Sequence, residues 1–401
     1  MSKPLEGVRV IEVAAWTFVP VAGAMLADMG ADVIKVEPPT GDPQRGLLNM
    51  LNAEGRGPNP FVEIPNRGKR SITLDLRNES GHGVLMRLAA TADVFLTSYL
   101  PEVRRKLKVD VDDLRAANPK IIYVRGSGWG NGGPMQNLGG YDLASAWATS
   151  GLADRLEMGR SDGPPPMPGA FFDLQGGNTI AGSIGTALFR RERTGKPSVV
   201  DVSLMNVGMW ALAPDIVSAP YVGAPRLPDR TQSGNPITNW YRTGDGRWIY
   251  LVCLQSDRFW VEFCAVIERP ELVGHPHYAD AKARFENRRE CVAELDATFA
   301  KRTLDEWRKR FAGFSGVWAP ALKFRELHDH PQVLASGYLP MVTGNDGQPF
   351  RLVSTAMHFD ETPTAPAGPA PEIGQDTEAV LLDAGYGWEE IEDVRGRGGL
   401  G

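Results

Sequence analysis

The N-terminal part of the chain carries the pattern that most limits its fold. Val8 to Val13 predicts a buried strand, and a helix is expected to run from the turn at Trp16–Pro20 to Met29, where Gly30 ends it. Ala31 to Glu37 predicts a second strand, which two prolines close. A strand, a helix and a strand in this order form a βαβ unit, so the sheet is expected to be parallel.

The same alternation continues further along the chain. Its predicted members are a strand at Ser71–Leu76, a helix at Ser80–Thr91, a strand at Asp93–Ser98, a helix at Val111–Asn118, and strands at Ile121–Gly126 and Ser198–Leu204. The chain is therefore predicted to be an α/β protein. Glu37 stands where a dinucleotide-binding fold carries its ribose-binding acid, but the first strand–helix turn has no G-x-G-x-x-G. A nicotinamide oxidoreductase stays open as an alternative on the α/β start and Glu37 only.

A chain of 401 residues suggests two or three domains. Around Ser218 to Asn235 the sequence becomes rich in proline and glycine, which predicts a domain boundary. Beyond it, Trp240 to Cys253 predicts a hairpin that turns at Asp245-Gly246. Further predicted elements are helices at Ser256–Glu268, Asn287–Ala300 and Thr303–Phe311, strands near Val342 and Phe350–Ser354, a proline-rich strap at Thr362–Pro371, and a last helix at Thr377–Ala384.

Charge and cysteine usage exclude several classes of partner. A net charge of -6 disfavours nucleic acid or an acidic membrane surface as the main partner, and the absence of a long apolar run predicts no membrane span. Three cysteines without C-x-x-C spacing indicate neither a disulfide framework nor a zinc site, so a cytoplasmic setting is expected. His328 and His330 lie two residues apart with no third ligand nearby, so no metal site is predicted.

Asp173 is the acid with the most unusual surroundings. It follows the apolar run Ala170–Phe172 and precedes Gly176-Gly177 and a helical pattern from Thr179 to Arg193. Its position leaves two interpretations open. The carboxylate could cap the helix N-terminus, or it could be a partly desolvated nucleophile at a glycine opening that a substrate can approach.

Two cationic clusters are candidate anion sites. Asn66–Arg70 is either a solvated turn or a phosphate grip on a glycine turn. Arg104–Lys108 is a charge run of the kind that is usually a solvated face, and only a location beside the first cluster would make it a ligand site. Farther along, Tyr141 and Asp142 begin a small-residue helix after a glycine loop, so Asp142 is expected to cap that helix while Tyr141 could face a pocket.

Taken in order, these segments resemble one family. The stretches LEGVRVIEVAAWTFVPVAGAMLADMGADVIKVEPP, NRGKRSITLDL, the turn Gly139–Asp142, AFFDLQGG and RTGKPSVVDVSL follow the order and spacing of the family III CoA-transferases. That family includes formyl-CoA transferase, carnitine CoA-transferase and the alpha-methylacyl-CoA racemases. The later ENRRE segment, Trp307 and Ala319–Ala321 continue the resemblance, which covers essentially the whole chain.

The resemblance implies a fold and an activity. It implies a large doubly wound, Rossmann-like domain with residues 1–218 as its N-terminal part, a smaller α/β domain at 225–325, and a C-terminal segment, 326–401, that returns to the large domain. Interlocked homodimers are expected. The implied reaction moves CoA from an acyl-CoA to a carboxylic acid through an aspartyl intermediate, with acyl-CoA as a substrate and no permanently bound cofactor.

The resemblance also assigns roles to individual residues. Asp173 matches the nucleophilic aspartate. The other matches are Thr17 and Phe18 at the turn that contacts the thioester end, Tyr141 and Asp142 near the reacting acyl group, Asn66, Arg67 and Lys69 in a CoA-binding turn, Ser98 and Tyr99 at the adenine end, and Lys106 as a phosphate-binding cation. Pro38 replaces an arginine that commonly contacts the diphosphate, so Arg45 is expected to take its place.

Departures from the family pattern leave alternative functions open. In the racemase branch a histidine precedes the turn's aspartate, whereas this chain has Tyr141. A phenol, with a reference pKa near ~10, is a poor base at neutral pH, so CoA transfer is preferred over racemisation. Because Pro38 weakens one expected contact, a non-catalytic CoA-binding protein is a further alternative. Several aromatic residues suggest an apolar acyl site larger than oxalate requires, although they would equally suit a core: Trp16, Phe18, Trp129, Phe171 and Phe172.

Overall fold

A computed structural model describes residues 3–50, 57–222 and 229–401 of the protein. The chain forms two compact units. The larger unit comprises residues 1–223 and 331–401, and the smaller unit comprises residues 224–330.

The larger unit begins with alternating strands and helices. Their bounds are β1 (Arg9–Val13), α1 (Phe18–Asp28), β2 (Asp32–Glu37), a 3-10 helix (Pro43–Gly46), α2 (Leu47–Met50), α3 (Pro60–Asn66), β3 (Arg70–Thr73), α4 (Glu79–Ala89), β4 (Val94–Thr97), α5 (Pro101–Lys106), α6 (Val111–Ala117) and β5 (Ile122–Ser127). They continue with a π-helix (Leu143–Ala148), α7 (Leu152–Glu157), α8 (Phe171–Thr194), β6 (Val199–Ser203), α9 (Leu204–Ala211) and α10 (Ala213–Ser218).

The smaller unit has its own sheet and core. Its elements are 3-10 helices at Arg230–Gln232, Pro270–Leu272 and Phe324–Asp329, strands β7 (Thr238–Arg242), β8 (Trp248–Val252) and β9 (Trp318–Pro320), and helices α11 (Ser256–Val266), α12 (Ala281–Glu286), α13 (Arg288–Phe299) and α14 (Leu304–Phe311). The predicted hairpin is confirmed, because β7 and β8 pair antiparallel around Asp245-Gly246. An aromatic cluster that includes Trp260, Phe299 and Trp307 fills the core.

The chain after the smaller unit packs back on the larger one. It forms α15 (Pro331–Ala335), the hairpins β10–β11 (Met341–Thr343, Pro349–Arg351) and β12–β13 (His358–Phe359, Thr362–Pro363), α16 (Thr377–Asp383) and α17 (Trp388–Gly396). The Asp376 carboxylate accepts a hydrogen bond from the Ser71 N–H at 2.8 Å, at the edge strand β3. The sequence prediction ended at α16 and missed α17, whose charged surface gives a weak apolar pattern.

All six strands of the large sheet are parallel, in the order β3-β2-β1-β4-β5-β6. Neighbouring residues of a strand enter opposite cores, as Val10 and Ile11 do on β1. Helices α1 and α8 cover one face, and α4, α6, α16 and α17 cover the other. The predicted α/β class with a parallel sheet is therefore confirmed. The strand order reverses between β1 and β4, the place where open parallel sheets form ligand crevices.

Helix α8 starts at Phe171, well before the predicted Thr179, so Gly176 and Gly177 lie inside it. Both glycines face α1. A Cβ atom on Gly177 would lie 1.9 Å from Cγ1 of Val21 and 3.1 Å from the carbonyl oxygen of Phe18. The glycine pair looks like a helix break in the sequence, but its role is to let two helices approach closely.

No helix within the described ranges combines the length and the apolar character needed to cross a membrane.

This helix contact generates a stability prediction. Gly177→Ala should lower the free energy of unfolding by roughly 1–3 kcal/mol, because the added methyl group collides with α1. Gly182→Ala is the matched control, since a Cβ atom there meets nothing within 4 Å and alanine favours a helix by up to about 1 kcal/mol. Urea unfolding measures both, and equal effects of the two substitutions would contradict the close contact.

Candidate active site

A small cavity opens where β1, β4 and β5 end, at the reversal of strand order. Its volume is about 190 Å³. It is lined by Ala15, Trp16, Phe18, Ser98, Leu100, Gly126, Ser127, Gly128, Gly139, Gly140, Tyr141, Asp173 and Leu204. We call it the strand-end cavity. Of the twelve residues predicted as functional, it contains Asp173, Tyr141, Phe18 and Ser98.

Asp173 lies in the first turn of α8 and lines this cavity. The interpretation as a helix cap is wrong, because the N-cap position belongs to Ala170, whose φ of 61° places it in the left-handed region. The Asp173 side chain is partly buried. Burial, with the nearby Asp142 carboxylate adding to it, raises the pKa of Asp173 to about 7. The residue is therefore a carboxyl group at a cavity wall that can be ionised or protonated near neutral pH.

Asp142 is the second carboxyl group at this site. It precedes the π-helix, as expected, but its side chain makes no capping hydrogen bond. The residue is 6% exposed, and its Oδ2 atom is buried without a hydrogen-bond partner in the structure. Burial raises the pKa of Asp142, while the N–H groups of Leu143 and Phe172 act in the opposite direction. Two carboxyl groups with raised pKa values thus lie close together near the start of α8.

The aromatic wall of the cavity is held in a defined conformation. Trp16 has a φ of 68°, which is unusual for a residue other than glycine, and its N–H donates to Oδ1 of Asp42 at 3.1 Å. Its ring meets the ring of Tyr141 edge-on, with 5.6 Å between the centroids. Tyr141 is 59% exposed, so it lies at the mouth of the cavity. Ala170, the N-cap residue of α8, also has a positive φ, so a strained residue lies just before each of the two helices that reach the site.

Phe18 and Thr17 occupy the turn between β1 and α1. The Phe18 ring lies against Gly126 and Gly176, where a Cβ atom would come within 2.8 Å and 2.3 Å of the ring. The Thr17 hydroxyl accepts a hydrogen bond from Nε2 of Gln44 at 2.9 Å, and the residue is 6% exposed. Thr17 is thus hydrogen-bonded to the loop after β2, and its predicted place at the thioester end stays a prediction.

Ser98 and Tyr99 point to opposite sides of the sheet. Ser98 lines the strand-end cavity, and its hydroxyl accepts from the Ala15 N–H at 3.0 Å. Tyr99 packs against the other core. The two side chains point apart because consecutive residues of an extended chain face opposite ways, and their predicted place at the adenine end stays a prediction.

The basic turn Asn66–Arg70 is not a surface phosphate grip in this structure. Nζ of Lys69 contacts both oxygens of Glu12 at 2.7 Å, and burial lowers the pKa of Lys69 to about 7. Nε of Arg67 donates to Asp28 at 2.9 Å, and Asn66 is completely buried. Both cations are buried in ion pairs, with Asp28 and Glu12, and their predicted contacts with CoA stay a prediction. Sequence reasoning could not see this, because both acids lie far away along the chain.

Arg45 is engaged as well. Its guanidinium donates to both oxygens of Glu37, at 2.8 and 2.5 Å, and these contacts together with Lys35 hold the pKa of Glu37 at about 2. Arg45 also donates to the carbonyl oxygen of Pro371 at 3.1 Å. The expected replacement of the family arginine by Arg45 is not supported by this geometry. Glu37, one of the two features behind the dinucleotide alternative, is buried and paired with Arg45.

Lys106 remains an exposed cation at the end of α5, which begins directly after the cavity residue Leu100. Arg105 beside it is exposed too, whereas Arg104 is buried and donates to the carbonyl oxygen of Tyr99 at 2.8 Å. The second cationic cluster therefore differs from the first, because Arg105 and Lys106 are exposed to solvent. Both lie only a few residues along the chain from Leu100, which lines the cavity.

Sequence reasoning missed the buried network behind the aromatic wall. Nζ of Lys35 contacts Asp42 at 2.8 Å and Glu12 at 3.3 Å, and Asp42 in turn accepts from the N–H groups of Trp16 and Gln44. Lys35 and Glu12 are completely buried. The available signal was a charged residue in the middle of each of two apolar strands, which fits no solvated surface.

Comparisons with known proteins agree with this architecture. Residues 5–377 match the sequence profile of "CoA-transferase family III". The chain is 30% identical over 396 residues to the "Cinnamoyl-CoA:phenyllactate CoA-transferase" of Clostridium sporogenes, covering 97% of this chain and 95% of the relative. It is 30% identical to the "Alpha-methylacyl-CoA racemase" of Mus musculus, covering 96% and 95%. A CAIB/BAIF family protein from Brucella suis has a similar structure, with a TM-score of 0.81, 27% identity and coverage of 96% and 100%.

The two neighbouring carboxyl groups lead to a titration prediction. Asp142→Asn should lower the pKa of Asp173 below 7, because a nearby anion no longer opposes its ionisation while burial still does. Asp154→Asn on the exposed side of α7 is the control and should leave that pKa in place. The pH dependence of carbodiimide labelling of Asp173, read by mass spectrometry, reports the change. An unaltered labelling profile in Asp142→Asn would show that the two acids do not interact.

Proposed function

The chain belongs to CoA-transferase family III, and from that premise we propose that it moves CoA from an acyl-CoA thioester to a carboxylic acid through a covalent intermediate on Asp173. The observation that carries the proposal is the Asp173 carboxyl group, which stands at the wall of the strand-end cavity with a pKa near 7. A carboxylate that burial makes poorly solvated is more reactive towards a carbonyl carbon than one in water.

The chemistry proceeds by exchange of acyl bonds. The Asp173 carboxylate attacks the thioester carbonyl carbon, the C–S bond breaks, and a mixed anhydride and CoA thiolate form. The thiolate then attacks the aspartyl carbonyl carbon, which releases the donor acid and leaves an aspartyl-CoA thioester. The acceptor carboxylate reverses these two steps. Each step exchanges one activated acyl bond for another, so the sequence needs no separate energy source.

The developing oxyanion needs hydrogen-bond donors. The N–H groups of Gly176 and Gly177 are unsuitable because these residues lie within α8 and pack against α1. The backbone of Gly139 and Gly140 lines the cavity beside Tyr141, and these glycines are the candidates we propose. Nε1 of Trp129 donates a hydrogen bond to the Gly139 carbonyl oxygen at 3.0 Å, and this contact helps to fix the orientation of that peptide group.

The racemase alternative is kept because a racemase is among the relatives. Proton abstraction beside the thioester needs a base on each side of the α-carbon, and Tyr141 offers a phenol where the resemblance expects an imidazole. Exchange of the α-proton for solvent deuterium without any acceptor acid, followed by NMR, would favour racemisation. A protein that only binds CoA would form no enzyme thioester.

We also propose that the protein works as a homodimer in a reducing compartment. The segment after β6 exposes large apolar side chains, with Trp210 82% exposed, Val217 70% and Tyr221 87%. Exposure of this extent is expected of a surface that another chain covers. The three cysteines are free and buried, which suits a reducing setting.

Replacing the proposed nucleophile should abolish transfer. We expect Asp173→Ala to lower turnover by at least about a thousandfold, because the covalent route is lost. Wild-type protein incubated with an acyl-CoA should yield a hydroxylamine-sensitive CoA adduct on the peptide that contains Asp173. Asp201→Ala, which changes another partly exposed acid of the same unit, is the control. Full turnover of the Asp173→Ala protein would exclude the mechanism.

Lys106 is the cation we expect to contact the CoA phosphates. Lys106→Ala should raise KM for acyl-CoA by up to about fivefold with little change in kcat, and the difference should shrink in high salt. Lys120→Ala, another exposed lysine, controls for net charge. Steady-state kinetics at two salt concentrations measure both variants, and equal KM values for all three proteins would show that Lys106 does not meet the coenzyme.

A further inference from the structure

We propose that the strand-end cavity selects apolar monocarboxylic acids of branched or phenyl size and discriminates against dicarboxylic acids. This inference rests on the proposed CoA-transfer function, and it defines the class of acyl group that Asp173 receives. It follows from the size of the cavity, the rigidity of its walls and the distribution of charge around it.

The volume sets the size of the acyl group. A closed apolar cavity of about 150 Å³ is known to hold benzene, and drug-sized ligands occupy roughly 300–1,000 Å³. At about 190 Å³, the strand-end cavity accommodates a phenyl or branched alkyl group. A long fatty acyl chain would have to extend out of the cavity.

The walls are apolar and cannot easily move. Trp16, Phe18, Leu100 and Leu204 are the large apolar side chains that line the cavity. Phe18 is wedged against two glycine backbones, and the Trp16 backbone is fixed by its hydrogen bond to Asp42. A site with fixed walls discriminates by fit, because it cannot enlarge for a wider group without losing contacts elsewhere.

The charge distribution is the stronger argument. Among the described residues that line the cavity, Asp173 alone carries a charged side chain. The second carboxylate of a dicarboxylic acid would lie close to Asp173 and Asp142 without a cation to offset it. The buried lysines behind the wall are already paired: Lys35 contacts Asp42 at 2.8 Å, and Lys69 contacts Glu12 at 2.7 Å. An unpaired buried carboxylate is costly, and like charges add to that cost.

A matched pair of acceptors tests this directly. 4-Methylpentanoate and succinate share the same chain and differ in whether it ends in an isopropyl group or a carboxylate. With one acyl-CoA donor, we expect kcat/KM for 4-methylpentanoate to exceed that for succinate by at least about 100-fold. 3-Phenylpropanoate should behave like 4-methylpentanoate. A ratio near one, or a preference for succinate, overturns the inference.

A charge placed in the wall should change the selectivity. Leu100→Arg should reduce the ratio at least about tenfold, because its guanidinium offers the distal carboxylate a partner, whereas the uncharged Leu100→Gln should not. If both variants reduce the ratio equally, charge is not the cause and the inference fails.

A binding measurement separates this inference from the proposed reaction and needs no altered wall. In Asp173→Ala protein, 4-methylpentanoyl-CoA should bind at least about tenfold more tightly than succinyl-CoA by titration calorimetry. If wild-type protein transfers no CoA while this preference holds, the reaction is wrong and the apolar acyl site stands. Equal dissociation constants overturn the acyl-site inference even if transfer is observed.

Discussion

The close packing of α1 on α8 is the contact on which the candidate site depends. The Phe18 ring and the Val21 side chain lie against Gly176 and Gly177, where any side chain would collide. This approach brings the turn after β1 within reach of the first turn of α8, so one cavity can be lined by both Trp16 and Asp173. Side chains at these two positions would push α1 and α8 apart, and with them the aromatic wall and the nucleophile candidate.

Behind that contact, buried charges fix the shape of the turn. Glu12 on β1 contacts both Lys35 and Lys69, and Lys35 contacts Asp42, which in turn binds the Trp16 N–H. Each charge in this network has a partner of opposite sign, which offsets much of its desolvation. Lys69, which the sequence suggests as a phosphate ligand, is thus part of the buried network behind the Trp16 turn. Lys106 stays exposed, which is why we propose it as a cation for the coenzyme.

The sequence predicted the parallel sheet well because each strand is a short apolar run and each connection contains a helix. It also singled out Asp173, whose acidic side chain stands out after an apolar run. It failed where long-range contacts decide a residue's role. Arg67, Lys69 and Arg45 look like free cations in a linear pattern, yet their partners Asp28, Glu12 and Glu37 lie elsewhere in the chain. The start of α8 was misplaced because Gly176-Gly177 reads as a break, and only the neighbouring helix reveals why glycine is needed there.

The larger unit is discontinuous, and this shapes the order in which the protein can fold. The contact of Arg67 with Thr355 joins residues 288 positions apart, and that of Ser71 with Asp376 joins residues 305 apart. Contacts this distant raise the contact order and slow folding, because a long loop must close before they form. The smaller unit is contiguous, so it can fold during synthesis. The edge strand β3 of the larger unit is covered only after residues 331–401 have been synthesised. Until the C-terminal segment has been synthesised, β3 presents an unpaired strand edge. We therefore expect the larger unit to need chaperone protection more than the smaller unit does.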